Sequence, residues 1–258
     1  MSLLAGVPAS LQPRGALPGA TVADLVAAKG ASAIAVCIPA RDEATTIRSV
    51  VGVARRLAAA GLVDEIVVID DGSTDATGPL AAAAGARVLA SPDGPGKGQA
   101  LSAAVAATAA DVVVFVDADV ANFAERFVTG LVAPLLLDPS VQLVKGTYRR
   151  SLHGVPGEGG RVTELVARPL LERFFPDLAG IGQPLAGETA LRRSALAGVV
   201  LEDGYAIEIA LLLDVYRRFG IEAIAEADLG DRVHRNRPLA DLRHQAGAVL
   251  DAVLARAG

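Results

Sequence analysis

From Ala33 onward, short apolar runs alternate with longer stretches in which apolar residues recur every three or four positions. Short runs bounded by turn residues read as buried strands, and the longer periodic stretches as amphipathic helices. This places strands at 33–39, 65–70, 86–90 and 112–117. Between them fall a helix at 43–60 stopped by Gly61, a helix after the 71–75 turn ending at Gly85, and a helix at 99–109 behind a Pro/Gly loop. The order β-α-β-α-β-loop-α-β predicts an α/β fold: a doubly wound, mostly parallel sheet flanked by helices, with right-handed crossovers.

Beyond Asp119 the pattern loosens. Residues 123–137, 161–175, 205–219 and 238–256 read as helices, and 141–148 and 221–227 as strands. Residues 151–160 hold four glycines and a proline and read as a loop and candidate lid. Residues 1–30 are rich in Ala, Gly and Pro and read as an arm with a short helix at 22–28.

Of the 258 residues, 52% are hydrophobic but only 3% aromatic, with no Trp. That composition suits small residues packed tightly on a sheet. A net charge of -5 argues against nucleic acid as the main partner. The single cysteine, Cys37, falls in an apolar strand, reads as a core thiol and excludes an internal disulfide. No membrane span and no signal peptide are expected, so a cytoplasmic protein is the default.

Chemistry concentrates where strands end. Asp117-Ala118-Asp119 closes an apolar strand, and residues two apart on an extended chain point the same way. At the carboxyl edge of an α/β sheet, two such carboxylates suit Mg²⁺ or Mn²⁺. Alternatively they only end the strand. Arg41-Asp42-Glu43 and Asp70-Asp71-Gly72-Ser73-Thr74-Asp75 follow earlier strands toward the same crevice, where they suit a base or ribose, or cap the helices behind them. Gly96-Lys97-Gly98 before a helix is an anion seat or a surface loop. Gly160-Arg161-Val162-Thr163 offers amides, a guanidinium and a hydroxyl to a phosphate, or is an ordinary helix start. His234 is a candidate third metal ligand, although a lone His is more often structural.

In order, Ile38–Glu43, Asp70–Asp75 and Asp117–Asp119 resemble the nucleotide-sugar glycosyltransferases of the GT-A fold. The blocks at 95–101, 142–150, 159–171, 183–188 and 234–239 sharpen this to a resemblance, over about residues 33 to 250, to the glucosyl-3-phosphoglycerate synthase family. The resemblance implies a retaining, metal-dependent transfer of glucose from a nucleoside diphosphate sugar to 3-phospho-D-glycerate. It implies a nucleotide-sugar-binding part at 31–120, an acceptor-binding and helical part of the same domain at 121–258, and a homodimer.

Residue by residue, the resemblance gives Pro39, Ala40, Glu43 and Asp71 to the uridine, and Lys97 to the diphosphate or sugar. Asp117 goes to ribose or sugar, with Ala118 beside it, and Asp119 and His234 go to the Mg²⁺ or Mn²⁺. Gly160, Arg161, Thr163, Asn236 and Arg232 go to the phosphoglycerate, and Tyr205, Glu208 and Leu185 to the transferred sugar and its catalysis. Three positions depart from the family: Ala118 and Ala186 stand where Ser is usual, and Thr189 where an aromatic is usual. They leave mannosyl transfer from GDP-mannose, or a family-2-like transferase with another acceptor, as alternative enzymes. A non-catalytic nucleotide-sugar binder is the alternative of a different class. A nucleotidyltransferase would need its Gly-rich loop directly after the first strand, where Pro39-Ala40-Arg41 stands.

Overall fold

A computed structural model of the chain describes residues 20–91, 96–152, 155–156, 160–197, 199, 204–233 and 239–258. Eight strands form the sheet: β1 (Ile34–Ala40), β2 (Glu65–Asp70), β3 (Arg87–Ala90), β4 (Val112–Phe115), β5 (Leu143–Leu152), β6 (Val155–Pro156), β7 (Thr189–Arg192) and β8 (Ile224–Arg232). Their order is β3-β2-β1-β4-β7-β5-β6, with β8 also paired to β5. β1 to β4 are mutually parallel where they pair, and β5 is parallel to β8. β7 runs antiparallel between β4 and β5.

Helices cover both faces. Along β1, Ile34, Val36 and Ile38 enter one core with α1 (Val22–Lys29), α2 (Ile47–Ala59), α3 (Thr77–Ala83) and α5 (Arg126–Leu137). Ala35 and Cys37 enter the other, with α4 (Lys97–Ala107), α6 (Arg168–Phe174), α7 (Ile207–Phe219) and α8 (Leu239–Arg256). The period-2 strand pattern thus feeds two cores at once, the condition for a sheet buried on both faces. Cys37 is free and buried, and burial pushes its thiol up to about 12.

Several expected boundaries move, each for a physical reason. The helix expected from residue 43 begins at Ile47, because Asp42 takes a left-handed φ of 53°. The N–H groups of Asp42, Glu43 and Ala44 instead donate to Ser73 and Asp75 of the next loop and Thr77 at the start of α3. The strand expected to 117 ends at Phe115, so Asp117 and Asp119 stand on the turn beyond it. Lys97 lies inside the first turn of α4 rather than in the preceding loop. The strand expected at 221–227 begins at Ile224, after a 3₁₀ turn at Ile221–Ala223, and continues to Arg232. Residues 163–167 are π-helical rather than α-helical. The loop and lid expected at 151–160 is corrected in part: β5 continues to Leu152 and pairs Ser151 with Pro156 and Leu152 with Val155. β7 was not expected at all. It is four residues long and fully interior to the sheet, so neither length nor alternation marks it.

Candidate active site

Strand direction decides where the functional side chains meet. β1, β2, β3 and β4 are parallel, so the loops at 41–46, 71–76 and 116–125, and the chain leaving Ala90, start from one edge of the sheet. β7 is antiparallel with Thr189 opposite Phe115, so Gly187 and Glu188, just before it, arrive at the same edge. β8 follows β5 in parallel, and Arg232 ends it there. This is the carboxyl edge at which open α/β sheets hold ligands.

The loop after β4 is tied to the end of β8. Ala121 N–H donates to the Val233 carbonyl at 2.9 Å, Val233 N–H to Asn122 Oδ1 at 2.9 Å, and Asn122 Nδ2 to the Asp231 carbonyl at 2.7 Å. Held so, the buried Arg232 guanidinium bridges the aspartates: Nη2 lies 2.7 Å from Asp117 Oδ2 and 3.0 Å from Asp119 Oδ1. Its plane stacks on Tyr148, 5.1 Å from the ring centre. Lys97 Nζ spans Asp117 Oδ1 at 2.8 Å and Glu208 Oε1 at 2.6 Å. Burial works to lower the Lys97 ammonium, but the Asp117 and Glu208 carboxylates override it and raise it above the ordinary lysine range. Arg232 is likewise held charged by Glu188, Tyr148 and both aspartates against the cost of burial.

Behind these groups sits Glu188, fully buried. Its Oε1 approaches Arg232 Nε at 3.1 Å without a hydrogen-bonding angle, so among the described residues neither carboxylate oxygen has a hydrogen bond. Burial raises its carboxyl, with Arg232 opposing. Gly187 presses on the front of the cluster: a Cβ there would lie 2.5 Å from Asp117 Oδ1.

The loops after β1 and β2 hold each other. Asp42 Oδ1 accepts from Thr74 N–H at 2.7 Å and Thr74 Oγ1 at 3.1 Å, which lowers its carboxyl. Asp71 accepts the Gly96 N–H at 2.9 and 3.0 Å, which fixes the entry to α4. Pro39 and Ala40 end β1 beside them.

The expected donor-side residues Pro39, Ala40, Glu43, Asp71, Lys97, Asp117, Ala118 and Asp119, with Glu208, therefore converge on this edge. Ala118 and Ala186 are buried in the first core, where a serine hydroxyl would need a partner. Leu185 lies partly buried on the turn before Gly187, against the second core. Arg232, expected at the acceptor, stands on the Asp117 and Asp119 carboxylates at this edge. Gly160, with φ 85°, opens the π-helical turn that carries the buried Thr163, and Arg161 stands between them, half-buried. Val162 and Ala167 anchor that turn among Val249, Ala252 and Val253. His234, Asn236 and the Tyr205 side chain lie outside the described residues.

Among the described residues no three His, Cys, Asp or Glu side chains converge as a metal site. Asp117 and Asp119 nonetheless fit a divalent cation: they are hard oxygen donors that already share one positive group, the Arg232 guanidinium. Two residues escaped the sequence reading as site parts, Lys145 and Glu226. Their signal was present, a charge inside an apolar strand run, which burial tolerates only with partners.

The profile of Glycosyl transferase family 2 matches residues 35–196. The glucosyl-3-phosphoglycerate synthase of Mycolicibacterium paratuberculosis is 49% identical over 256 residues, covering 93% of this chain and 77% of that protein. The crystal structure of the Mycobacterium tuberculosis glucosyl-3-phosphoglycerate synthase with Mn²⁺, UDP-glucose and phosphoglyceric acid matches at TM-score 0.87 and 43% identity, covering 95% of this chain and 88% of that one. The same enzyme with Mg²⁺ and UDP matches at TM-score 0.88 and 44% identity, covering 95% and 87%.

Proposed function

The chain belongs to the glucosyl-3-phosphoglycerate synthase family, and we propose that its Lys97, Asp117, Asp119 and Arg232 cluster is the donor clamp for moving glucose from UDP-glucose to 3-phosphoglycerate. The chain is a metal-dependent hexosyltransferase with a GT-A fold. The observation that carries the assignment is the guanidinium shared by Asp117 and Asp119 at the sheet's carboxyl edge.

In this reading Pro39, Ala40, Glu43 and Asp71 seat the uridine on loops already hydrogen-bonded to one another. Asp119, with His234, would hold Mg²⁺ or Mn²⁺, which when bound supplies charge neutralisation on the leaving diphosphate. Lys97 faces the diphosphate or sugar, its charge fixed by Asp117 and Glu208. Glu208 and Tyr205 orient the sugar, with Leu185 beside the reacting centre. Arg161, Gly160, Thr163 and Asn236 seat the phosphoglycerate, so that its hydroxyl meets the anomeric carbon from the side the diphosphate leaves. Positioning then supplies much of the rate. Arg232 holds the two aspartates and, as the resemblance implies, contributes to the phosphoglycerate seat.

Mixing the protein with UDP-glucose, 3-phosphoglycerate and Mg²⁺ is expected to release UDP only when the acceptor is present. Release independent of the acceptor, or none with any sugar donor, refutes the assignment. Loss of a charge-assisted contact in Arg161→Ala should raise the acceptor KM about 10- to 100-fold and leave the donor KM unchanged. A matching rise in donor KM would remove Arg161 from the acceptor seat. Asp42→Ala loses the Thr74 hydrogen bonds and is expected to raise the donor KM, whereas Asp42→Asn, which tolerates the left-handed backbone, preserves it. Equal kinetics for the two variants would show that the loop contact does not shape the nucleoside seat.

A homodimer and a cytoplasmic location complete the reading. Leu165 (76% exposed), Phe174, Leu250 and Leu254 expose apolar side chains on neighbouring C-terminal elements, a surface suited to a second copy. Light scattering should give a dimer for the protein and a monomer for Leu165→Asp; a monomeric parent refutes the assembly. Among the described residues no helix is long and apolar enough to cross a membrane. The cytoplasmic placement rests on the donor and acceptor, both cytoplasmic metabolites.

A further inference from the structure

Lys145 and Glu226 are charged residues set side by side on the neighbouring strands β5 and β8. Lys145 on β5 stands in register with Thr189 on β7 and Glu226 on β8. Side chains at matched register share a face of the sheet, so the three lie under one stretch of chain, residues 182–188. Lys145 is 1% exposed, and its Nζ donates to the Ala186 carbonyl at 2.7 Å and to Thr189 Oγ1 at 3.0 Å. Thr189 Oγ1 in turn donates to the same Ala186 carbonyl at 3.2 Å. At the other end of the stretch, Glu226 Oε1 accepts the Gly182 N–H at 2.7 Å. Arg168 holds the Ala179 and Gly182 carbonyls at 3.4 and 3.3 Å.

The stretch so clamped is a tight turn, closed by Ala186 N–H donating to the Gln183 carbonyl at 3.0 Å. It carries Leu185 and ends on Gly187, whose missing side chain leaves room for the Asp117 carboxylate. A buried lysine beside a half-buried glutamate is costly to a fold. A neutral pair of side chains would satisfy the turn's backbone at less cost. Burial pulls the Lys145 ammonium down to about 8, while the Glu208 and Glu188 carboxylates oppose that fall. Burial likewise raises the Glu226 carboxyl against the Gly182 hydrogen bond.

We infer that Lys145 and Glu226 are positioning residues for the transfer reaction: from beneath, they grip opposite ends of the 182–187 turn and fix its upper face against Asp117 and the bound sugar. Neither touches substrate; each acts through backbone atoms of the turn. Thr189 is part of the device. Its hydroxyl both accepts from Lys145 and donates to the Ala186 carbonyl, which a phenylalanine could not do. The inference rests on the glucosyl-transfer reading, and its test separates the two.

The test compares Lys145→Met and Glu226→Met, which keep length and burial but lose the turn's partners, with Lys145→Arg and Glu226→Gln, which keep a donor or acceptor. UDP-glucose turnover with 3-phosphoglycerate is measured first for the parent protein; its absence fails the transfer reading, not this one. Given turnover, the methionine variants are expected to lose about 10- to 100-fold in kcat with donor KM nearly unchanged, and the conservative variants to recover most of it. The double methionine variant should be little worse than either single one, because both act on the same turn. Backbone amide exchange at residues 185–187 should rise in the methionine variants, an effect readable without catalysis. Unchanged kcat in folded methionine variants, fully additive losses, or unchanged exchange at the turn each overturn the inference. Should Lys145→Met fail to fold, Glu226→Met and Thr189→Val carry the same test.

Discussion

Replacing Asp119 with alanine lowers UDP release from UDP-glucose and 3-phosphoglycerate by about a thousandfold. A metal on a leaving diphosphate is worth several kcal/mol of transition-state stabilisation, and each 1.4 kcal/mol is about tenfold in rate. The fold should survive, because Asp119 is 27% exposed and Arg232 keeps Asp117 and Glu188 as counter-charges. Two readouts keep the result specific. Mn²⁺ binding in the presence of UDP, followed by electron paramagnetic resonance, should weaken by at least about tenfold. Thermal unfolding without metal should be almost unchanged. An Asp119→Ala protein with parental turnover, or with parental Mn²⁺ affinity, would dismiss Asp119 as a ligand.

The second large effect is expected from a single methyl group. Gly187→Ala puts a Cβ 2.5 to 2.7 Å from the Asp117 carboxylate atoms. Gly187 does not occupy the left-handed region, so the effect is steric rather than conformational. The carboxylate cannot yield cheaply: Lys97 holds one oxygen at 2.8 Å and Arg232 the other at 2.7 Å. The turn cannot yield cheaply either, being held at the Ala186 carbonyl by Lys145. Overpacking of this kind costs about 1–3 kcal/mol of stability. A displacement of about 1 Å at reacting groups costs roughly 100-fold in kcat. A kinetic series in which Gly187→Ala retains parental kcat would mean that the turn and Asp117 move freely, contrary to the contacts described.

The first half of the chain was legible because its strands are parallel and its functional residues follow them. Residues 65–70 emerge as β2 with both boundaries as expected, and Asp71 and Glu43 reach the crevice merely by standing after strands. What reading along the chain missed is the region where order in sequence and order in space part company. β7 enters the middle of the sheet from a distance, antiparallel and only four residues long, so Gly187 and Glu188 reach the site from the front of a strand rather than its end. The aspartates were expected to point together because of strand pleat. They stand beyond the strand, and the Arg232 guanidinium is what gathers their carboxylates. The ion-pair partners of that arginine were not legible, because the resemblance conveys roles but not contacts. The α2 start at Ile47 was missed for a related reason: local propensity favoured a helix from residue 43, but the amides of residues 42–44 found partners across a gap of more than 30 positions.

β4, β7 and β5 join the first half of the chain to the second through continuous ladders of paired backbone. A shared sheet of this kind has no hinge. The expected catalytic motion is therefore of loops over a stationary floor rather than of two lobes closing like a jaw. Crowding agents and viscosity, which slow large domain excursions, should leave turnover nearly untouched, while a crosslink from one crevice loop to the sheet edge would stall it.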